Sequence, residues 1–416
     1  MTDKNSGAAG KAMRGVRIFI VVSALVGLAM GLSDAILANY FKEAYEVTPG
    51  QRGFIEFPRE LPGILSLFAI AALSSLKNVK TAILTQGLAL AGLVVLGVWR
   101  PSFAVMCVFL FIYSLGQHMY MPLNDSIGLS LAKARGGAGT GRMMGRFHSA
   151  RMAATVLAGV LVFFGFRGGW FDFNTPVIVF LIAAAAFLLV GVFLGVLRKA
   201  DPVVETDAPV NAKFVFRKEY LRYYVICALF GGRKQIMIVY SPWVLIELLG
   251  FRADTMSVLA VTGALIGVFF LPMIGKWIDR FGVRRIMMVE SFAFILIYIA
   301  YGLLSRWLGG EGAAAGGLLL LLVYLLNILD RMTGQFSMDR AIYMRQIALA
   351  PEDVTPSLSL GMGIDHVLAI AGATVCGVIW QSFGPEYVFV LAGGLALLNF
   401  FVAKGIKLND TKGDLP

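Results

Sequence analysis

The sequence predicts an all-α integral membrane protein of twelve transmembrane helices, arranged as two six-helix pseudo-symmetric halves. Three observations support this fold class: the composition, the spacing of the apolar stretches and an internal repeat. Of the 416 residues, 58% are hydrophobic and only 15% are charged, and the mean hydropathy is +0.78. A soluble domain carries about 25% charged residues, so the lipid bilayer is expected to surround this chain.

Twelve stretches are long and apolar enough to cross the membrane, since a helix needs roughly twenty residues to cross about 30 Å of hydrocarbon. The first six are predicted at residues 17–41, 53–75, 81–99, 103–131, 147–166 and 175–197. The second six are predicted at residues 223–247, 255–276, 286–305, 317–349, 357–382 and 386–404. The polar stretch between them predicts an N-terminal bundle (1–197), a cytoplasmic linker (198–222) and a C-terminal bundle (223–416).

The orientation follows from the distribution of lysine and arginine. Most of the 36 Lys and Arg residues fall in the two terminal tails and the inner loops when the N-terminus is placed inside. Because cytoplasmic loops carry an excess of these residues, both termini are predicted to be cytoplasmic. The polar, basic first sixteen residues lead into a full-length span and do not resemble a secretory signal. The protein is expected to be a multi-pass protein of a cell membrane, namely the inner membrane of a bacterium.

Several function classes are not supported by the sequence. The net charge of +11 does not indicate nucleic-acid binding, because the basic residues lie between apolar spans rather than on one exposed face. Cys107, Cys227 and Cys376 lie in apolar stretches at no zinc-ligand or redox spacing, so no disulfide, metal or cofactor is expected. An enzyme would need a nucleophile with a base, a metal set or paired carboxylates at one depth, and none is evident.

An internal repeat relates the two halves. Aligning residues 116–160 with residues 334–378 places Gly116 on Gly334 and Gln117 on Gln335. The chain has only three histidines, and two of them, His148 and His366, coincide in this alignment. Halves of six helices each are related by an axis along the membrane normal, which is the plan of transporters whose halves rock around a central site.

The loop between spans eight and nine has an ordered pattern, GKWIDRFGVRR, which contains Gly275, Asp279, Arg280, Gly282, Arg284 and Arg285. Together with the six-plus-six layout, it resembles the inner-loop motif of the major facilitator superfamily, and this resemblance implies the major facilitator fold and membrane transport. The sequence departs from the superfamily pattern at two places. The loop between spans two and three reads SSLKNVK and lacks the motif's aspartate and glycines, and residues 150–165 contain none of the proline that drug-proton antiporters carry in span five.

The resemblance implies that spans one, four, seven and ten line a central cavity, and ionisable residues inside a membrane are candidates for function. The substrate-binding candidates are Gln117, Arg233, Lys234, Asn327, Arg331 and Gln335. The proton-coupling candidates are Asp34, His118 and Asp330. A surplus of cations over carboxylates in this cavity favours an organic anion or another polar metabolite. The alternative is that Asp34 or Asp330 only neutralises one of the cations in a buried pair.

Two sets of charges are candidates for gates. Glu56 and Glu60 share a helix face with Arg59 between them, which predicts an outer gate or a stable ion cluster. At the inner side, the superfamily geometry places Asp279 near the start of span five, where Arg142 and Arg146 lie on one helical face. This predicts an inner latch, and the alternative is that Asp279 pairs with Arg280 or Arg284 in its own loop. The repeated histidines are either a titrating pair or residues with a shared packing role.

The functional prediction is a monomeric secondary active transporter that moves a small polar or anionic metabolite by alternating access, coupled to protons. Its expected partners are the small-molecule substrate, protons and the lipid bilayer. The alternatives are a non-transporting membrane sensor on a transporter fold, and a uniporter or exchanger.

Overall fold

The computed structural model describes residues 2–73, 76–133, 140–201, 216–311, 317–333, 338–350 and 353–406. All regular elements within these ranges are helical, as predicted. The helices of the first part of the chain are α1 (Thr2–Tyr45), α2 (Pro49–Phe54), α3 (Glu56–Ala72), α4 (Asn78–Val98), α5 (Phe103–Lys133), α6 (Thr140–Arg167) and α7 (Ile178–Ala200). The later helices are α8 (Leu221–Gln235), α9 (Ser241–Glu247), α10 (Ala253–Phe281), α11 (Val283–Glu311), α12 (Gly317–Thr333), α13 (Met338–Ile347), α14 (Val354–Phe383) and α15 (Pro385–Lys404).

Eight helices in the described ranges are long and apolar enough to cross a membrane. They are Arg14–Tyr45, Asn78–Val98, Phe103–Ala132, Arg142–Arg167, Ile178–Ala200, Val283–Leu308, Pro356–Phe383 and Pro385–Lys404. They correspond to predicted spans one, three, four, five, six, nine, eleven and twelve. The all-α membrane fold is therefore confirmed, and the order of helices is compatible with twelve spans.

Three of the remaining predicted spans divide into two helices. Span two divides into α2 and α3 at Ile55, and span seven has a π-helical turn at Ile236–Tyr240 between α8 and α9. Span ten divides into α12 and α13 on either side of residues 334–337, which lie outside the described residues. Breaks in a membrane helix leave backbone groups that need other partners, so they are tolerated where protein or water supplies those partners.

The break in span two follows from local sequence. Thr48 caps α2: its hydroxyl accepts from the Gln51 amide at 3.3 Å, and the Gln51 side chain accepts from the Thr48 amide at 2.9 Å. Pro49 then occupies the first turn, where its missing N–H costs nothing. Pro58 and Pro62 in α3 cannot donate to the preceding turn, so a continuous helix through this region loses two hydrogen bonds.

The chain forms two compact units. Unit 1 comprises Met1–Glu46, Pro58–Val210 and Arg252–Val261, and unit 2 comprises Val47–Phe57, Asn211–Phe251 and Thr262–Pro416. These units differ from the predicted bundles in two short segments, residues 47–57 and 252–261. The predicted cytoplasmic linker at 198–222 stays a prediction.

Glycines bring α1 close to α6 in unit 1 and α8 close to α14 in unit 2, which pairs the first and fifth predicted spans of each half. In unit 1 a Cβ atom on Gly27 of α1 would collide with the backbone carbonyl of Arg151 in α6, and the Thr155 hydroxyl donates to the Gly27 carbonyl at 3.1 Å. In unit 2 a Cβ atom on Gly231 of α8 would collide with the backbone of Asp365 in α14. Small residues allow such close approach between membrane helices. The contact in unit 2 also brings Asp365 beside the charged end of α8.

Candidate substrate and coupling site

Two adjacent cations of α8, Arg233 and Lys234, form ion pairs with two different helices. Arg233 Nη2 lies 2.7 Å from Glu290 Oε1 of α11, and Lys234 Nζ lies 2.8 Å from Asp365 Oδ2 of α14. They diverge because consecutive residues of a helix point about 100° apart. The side chains of Arg233 and Glu290 are 2% and 4% exposed, whereas those of Lys234 and Asp365 are 19% and 18% exposed. Lys234 is therefore the accessible cation of the two.

Arg233 lies among aromatic rings as well as beside its carboxylate. Its guanidinium carbon lies 3.8 Å from the Phe294 ring centroid and 5.4 Å from the Phe230 centroid. The guanidinium of Arg340 lies 3.0 Å from the same Phe230 ring. Asp339, only 2% exposed, interacts electrostatically with Arg233 and Arg340. A cation placed over aromatic faces and beside a carboxylate is stabilised by both, so Arg233 holds α8, α11 and α13 together.

Glu56 forms a third charged contact of unit 2. It is fully buried, pairs with Arg52 one turn earlier at 2.6 Å, and accepts from the Gln235 side chain at 3.0 Å. The predicted outer set grouped Glu56 with Arg59 and Glu60, and the structure adds Arg52 and Gln235 as partners of Glu56. Because of the break at Ile55, Glu56 belongs to unit 2, whereas the half-buried Arg59 and Glu60 belong to unit 1. The outer gate stays a prediction.

The α12 candidates lie on the interior of unit 2. Asp330 is 1% exposed, and its Oδ1 atom has no hydrogen-bond partner among the described residues. Arg331 is half-buried, and its Nε donates to the Asn327 side-chain oxygen at 3.0 Å. The Ser241 hydroxyl, which interacts with Asp330, donates to the Tyr301 hydroxyl at 2.7 Å. Gln335 lies outside the described residues.

The charges of this unit 2 network are balanced, which corrects the predicted positive surplus. That surplus counted Arg233, Lys234 and Arg331 against Asp34 and Asp330. The cations of the network are Arg52, Arg233, Lys234, Arg331 and Arg340, and the carboxylates are Glu56, Glu290, Asp330, Asp339 and Asp365. Pairing is required because an unpaired charge away from water costs several kcal/mol.

The hydroxyl of Tyr113 joins two of the unit 1 candidates, Asp34 and Gln117. The Tyr113 hydroxyl donates to Asp34 Oδ1 at 3.4 Å, lies 2.6 Å from the Ser33 hydroxyl, and accepts from the Gln117 side chain at 3.0 Å. Asp34 is exposed and Gln117 is 7% exposed. His118 is half-buried, and its Nδ1 lies 2.9 Å from the Ser114 carbonyl of its own helix. Asp34, Tyr113 and Gln117 together offer an exposed carboxylate backed by hydroxyl and amide groups.

The inner-loop motif is exposed. Gly282 has φ +80°, a backbone conformation that would be strained for a residue with a side chain, and its amide donates to the Ile278 carbonyl at the end of α10.

The charged residues of the motif lie at the surface. Asp279 is exposed, and the guanidinium of Arg280 lies 5.2 Å from the Phe281 ring centroid. Arg284 and Arg285, at the start of α11, are exposed as well, and Gly275 is half-buried. Arg142 and Arg146 are exposed on α6. The latch between these charges stays a prediction.

The repeated histidines lie in unequal surroundings: His148 is exposed and His366 is 9% exposed. A shared role for the two is thus not supported by their burial.

Sequence reasoning missed several members of the polar networks in both units, although a signal was present. The missed residues are Arg52, Tyr113, Glu290, Asp339, Arg340 and Asp365. Glu290 and Asp365 lie inside predicted spans nine and eleven, and Asp339 and Arg340 lie inside span ten. Spans nine and eleven were not among the spans expected to line the cavity, so Glu290 and Asp365 were not candidates. The same rule for intramembrane charges, applied to all twelve spans, would have found them.

Several long apolar helices, with ion pairs inside predicted spans, define a polytopic membrane protein. The chain belongs to the Major Facilitator Superfamily, whose sequence profile matches residues 19–339. It is therefore a multi-pass membrane transporter rather than an enzyme, and it acts on a small molecule.

Relatives and solved structures agree with this assignment. The chain is 26% identical over 290 residues to Sugar efflux transporter B of Salmonella typhimurium (strain LT2), covering 68% of this chain and 71% of that protein. The crystal structure of the nucleoside transporter NupG has a TM-score of 0.72 at 12% identity, covering 94% of this chain and 100% of that one. The POT family transporter PepTSo has a TM-score of 0.71 at 13% identity, covering 94% and 97%. At these identities the two structures show the fold alone.

Proposed function

We propose that the protein is a secondary active transporter that moves a small, polar, uncharged metabolite by alternating access and couples this movement to protons. The family assignment supports membrane transport. The ionisable groups inside the predicted spans of both units support coupling to protons, because carboxyl and imidazole groups can gain or lose a charge as their surroundings change.

One observation carries the choice of an uncharged substrate: Arg233 and Lys234 already have carboxylate partners at 2.7 and 2.8 Å. A cation in a formed pair offers little net attraction to an organic anion, because the anion must first displace the carboxylate. Donors and acceptors without this constraint include Gln117, Tyr113 and Asn327, which suit hydroxyl groups. The sugar and nucleoside named in the relatives' descriptions are of this hydroxyl-rich class.

The coupling group that we propose is the Lys234–Asp365 pair, together with the predicted carriers Asp34, His118 and Asp330. Asp365 and Lys234 are partly exposed, and Asp365 Oδ1 has no hydrogen-bond partner among the described residues. A proton that binds to Asp365 removes its charge and releases Lys234 to donate to a substrate hydroxyl. When the substrate leaves, the pair re-forms and the proton is released. Proton binding and substrate binding therefore favour each other.

The proposed orientation has both termini in the cytoplasm and the protein as a monomer in a bacterial inner membrane. Reporter fusions after Arg198 and after Lys407 are expected to score as cytoplasmic, and a periplasmic signal from either would contradict this orientation.

The test is flux in proteoliposomes that contain the purified full chain, measured in both directions with and without a pH gradient. The panel holds neutral sugars and nucleosides in one arm and organic anions of similar size in the other. We expect saturable flux of at least one neutral compound that increases with the proton gradient. Flux of the anions alone would contradict the neutral-substrate proposal. Flux that is independent of the gradient would indicate a uniporter or exchanger, and binding without flux would indicate a sensor.

A further inference from the structure

A surface cavity of unit 2 lies away from the charge network. It has a volume of about 640 Å³ and is formed where the start of α8 meets the ends of α13 and α15. Its lining includes the polar residues Lys218 and Arg222 and the apolar residues Val225, Leu349 and Val402. It therefore lies where the chain changes from polar residues to apolar spans.

The walls of this cavity are held in place by contacts between three helices. The Tyr220 hydroxyl donates to Asp353 Oδ2 at 2.7 Å and accepts from the Leu349 amide at 2.9 Å. Arg217 Nε lies 2.8 Å from the same carboxylate oxygen of Asp353. Arg222 donates to the Gly405 carbonyl at the end of α15. These bonds tie α8 to the segment before α14 and to α15, so the cavity is preformed.

The tyrosine and arginine also fix the charge state of Asp353. The Tyr220 hydroxyl bond and then the Arg217 guanidinium hold the pKa of Asp353 below its usual range. Asp353 is thus ionised, and Arg217 neutralises its charge. An anion in the cavity is therefore repelled only weakly by Asp353.

The rim of the cavity is cationic and its wall is apolar. Lys218 and Arg222 are exposed and lie four residues apart, Lys218 in a short 3-10 turn (Lys218–Tyr220) just before α8 and Arg222 in the first turn of α8. Among the described residues Lys218 forms no ion pair, and Arg222 bonds to an uncharged carbonyl. Glu219 is the acidic residue in the lining. Below the cations, Leu221 is 53% exposed, Val225 is 38% exposed and Leu349 is 54% exposed.

We propose that this cavity is a binding site for an anionic phospholipid, with the phosphate at Lys218 and Arg222 and an acyl chain along Val225 and Leu349. The two cations complement a phosphodiester, and basic pockets between transmembrane helices at the membrane surface bind anionic headgroups in this way. Leu221, Val225 and Leu349 would be poor neighbours for a soluble anion, but they match hydrocarbon. The occupant is therefore a lipid rather than free phosphate. This inference does not depend on the substrate or on proton coupling.

The first test is native mass spectrometry of the full chain in detergent, titrated with phosphatidylglycerol or with zwitterionic phosphatidylethanolamine. We expect phosphatidylglycerol to be retained more strongly, and Lys218→Gln to weaken its binding about fivefold, since one basic residue near the surface contributes about that factor. Lys276→Gln is the matched control, because Lys276 is an exposed lysine of the same unit outside the cavity. Equal binding of the two lipids, or equal losses in both variants, would overturn the proposal.

The second test separates a lipid from a soluble anion. Val225→Ser leaves both cations in place, and we expect it to weaken phosphatidylglycerol binding while millimolar inorganic phosphate fails to displace the lipid. If phosphate displaces the lipid and Val225→Ser changes nothing, the site binds a free anion and the lipid assignment is wrong. Both variants change exposed side chains, so folding is expected to be retained, and a melting curve of each confirms it.

Discussion

Arg233 and Lys234 are neighbours in sequence, yet their ion pairs differ in access to solvent. The Arg233–Glu290 pair is closed off, with both side chains at most 4% exposed, whereas both members of the Lys234–Asp365 pair are nearly one fifth exposed. A closed pair must stay formed because neither charge can turn to water instead, so it supports the fold. A pair that solvent and substrate can reach can be opened and re-formed, so it can carry out coupling. The difference in burial, rather than the residue types, is the basis on which we propose a structural role for one pair and a coupling role for the other.

The largest effect is expected from breaking the closed pair. Arg233→Gln leaves Glu290 charged and buried, and removing one partner of a buried pair costs about 3–5 kcal/mol. We expect a large loss of folded protein, measured as a lower melting temperature and less monodisperse material in detergent. Arg233→Leu combined with Glu290→Leu removes both charges and should restore most of the loss. If the single variant is as stable as wild type, the pair does not support the fold.

Breaking the accessible Lys234–Asp365 pair should reduce transport and leave stability nearly unchanged. Lys234→Gln leaves Asp365 partly solvated, so we expect a melting temperature close to that of wild type and a loss of transport of at least about tenfold, which corresponds to roughly 1.4 kcal/mol. The measurement pairs flux in proteoliposomes with a melting curve of the same preparation. A variant that melts early and transports normally when folded would reverse the two assigned roles.

An exposed charge, Asp279, is expected to affect neither stability nor coupling but the balance between conformations. Asp279 in the inner-loop motif is exposed, so Asp279→Asn should leave stability unchanged. If the predicted latch with Arg142 and Arg146 exists, the loss shifts the conformational equilibrium by about 1–2 kcal/mol, roughly five- to thirtyfold in population. Cysteine labelling should then increase at the inner side. Arg280→Gln tests the alternative pairing within the loop, and an equal increase in labelling there would indicate an Asp279–Arg280 pair in place of the latch. Unchanged accessibility on both sides in Asp279→Asn would reject the latch.

The smallest effect concerns Asp353, whose partner Arg217 is 44% exposed. The pKa of Asp353 lies below its usual range because of the Tyr220 hydroxyl bond and the Arg217 guanidinium, so the ionised carboxylate stabilises the folded state. This stabilisation is complete above the unfolded pKa of about 3.9 and is lost as the pH falls through the lower folded pKa. The melting temperature of wild type should exceed that of Asp353→Asn at pH 7, and the difference should shrink below pH ~4. A difference that does not change with pH would contradict this account.

The sequence predicted the fold well because hydropathy and the repeat depend on local composition. Pro58 and Pro62 follow the break at Ile55, and Pro242 follows the π-helical turn at Ile236–Tyr240, so both irregularities have a local signal in the sequence. The role of Gly27 and Gly231 in close helix packing cannot be predicted from the sequence, because it depends on which helix faces each glycine.

The site was harder to predict because ion-pair partners are set by packing. Glu290 lies 57 positions from Arg233, and Asp365 lies 131 positions from Lys234. The sequence shows that these charges are intramembrane, but not which helix faces meet. Without the partners, the cations of span seven looked like a surplus that favours an anion.

The polar network of unit 1 could also be predicted only in part, because its contacts depend on packing. Asp34 and Gln117 were candidates because polar side chains are rare in apolar spans. Tyr113, whose hydroxyl joins them, resembles any other aromatic residue of an apolar span until the packing of α1 against α5 is known.

The central claim is that the accessible pair couples substrate movement to protons. The most direct test is Asp365→Asn, reconstituted beside wild type and supplied with a transported neutral substrate. Counterflow exchange, which needs no gradient, is measured in parallel with accumulation driven by a pH gradient. We predict that the variant keeps counterflow and loses gradient-driven accumulation, because the asparagine amide can accept a hydrogen bond but cannot carry a proton. Accumulation in Asp365→Asn equal to that of wild type would contradict the claim.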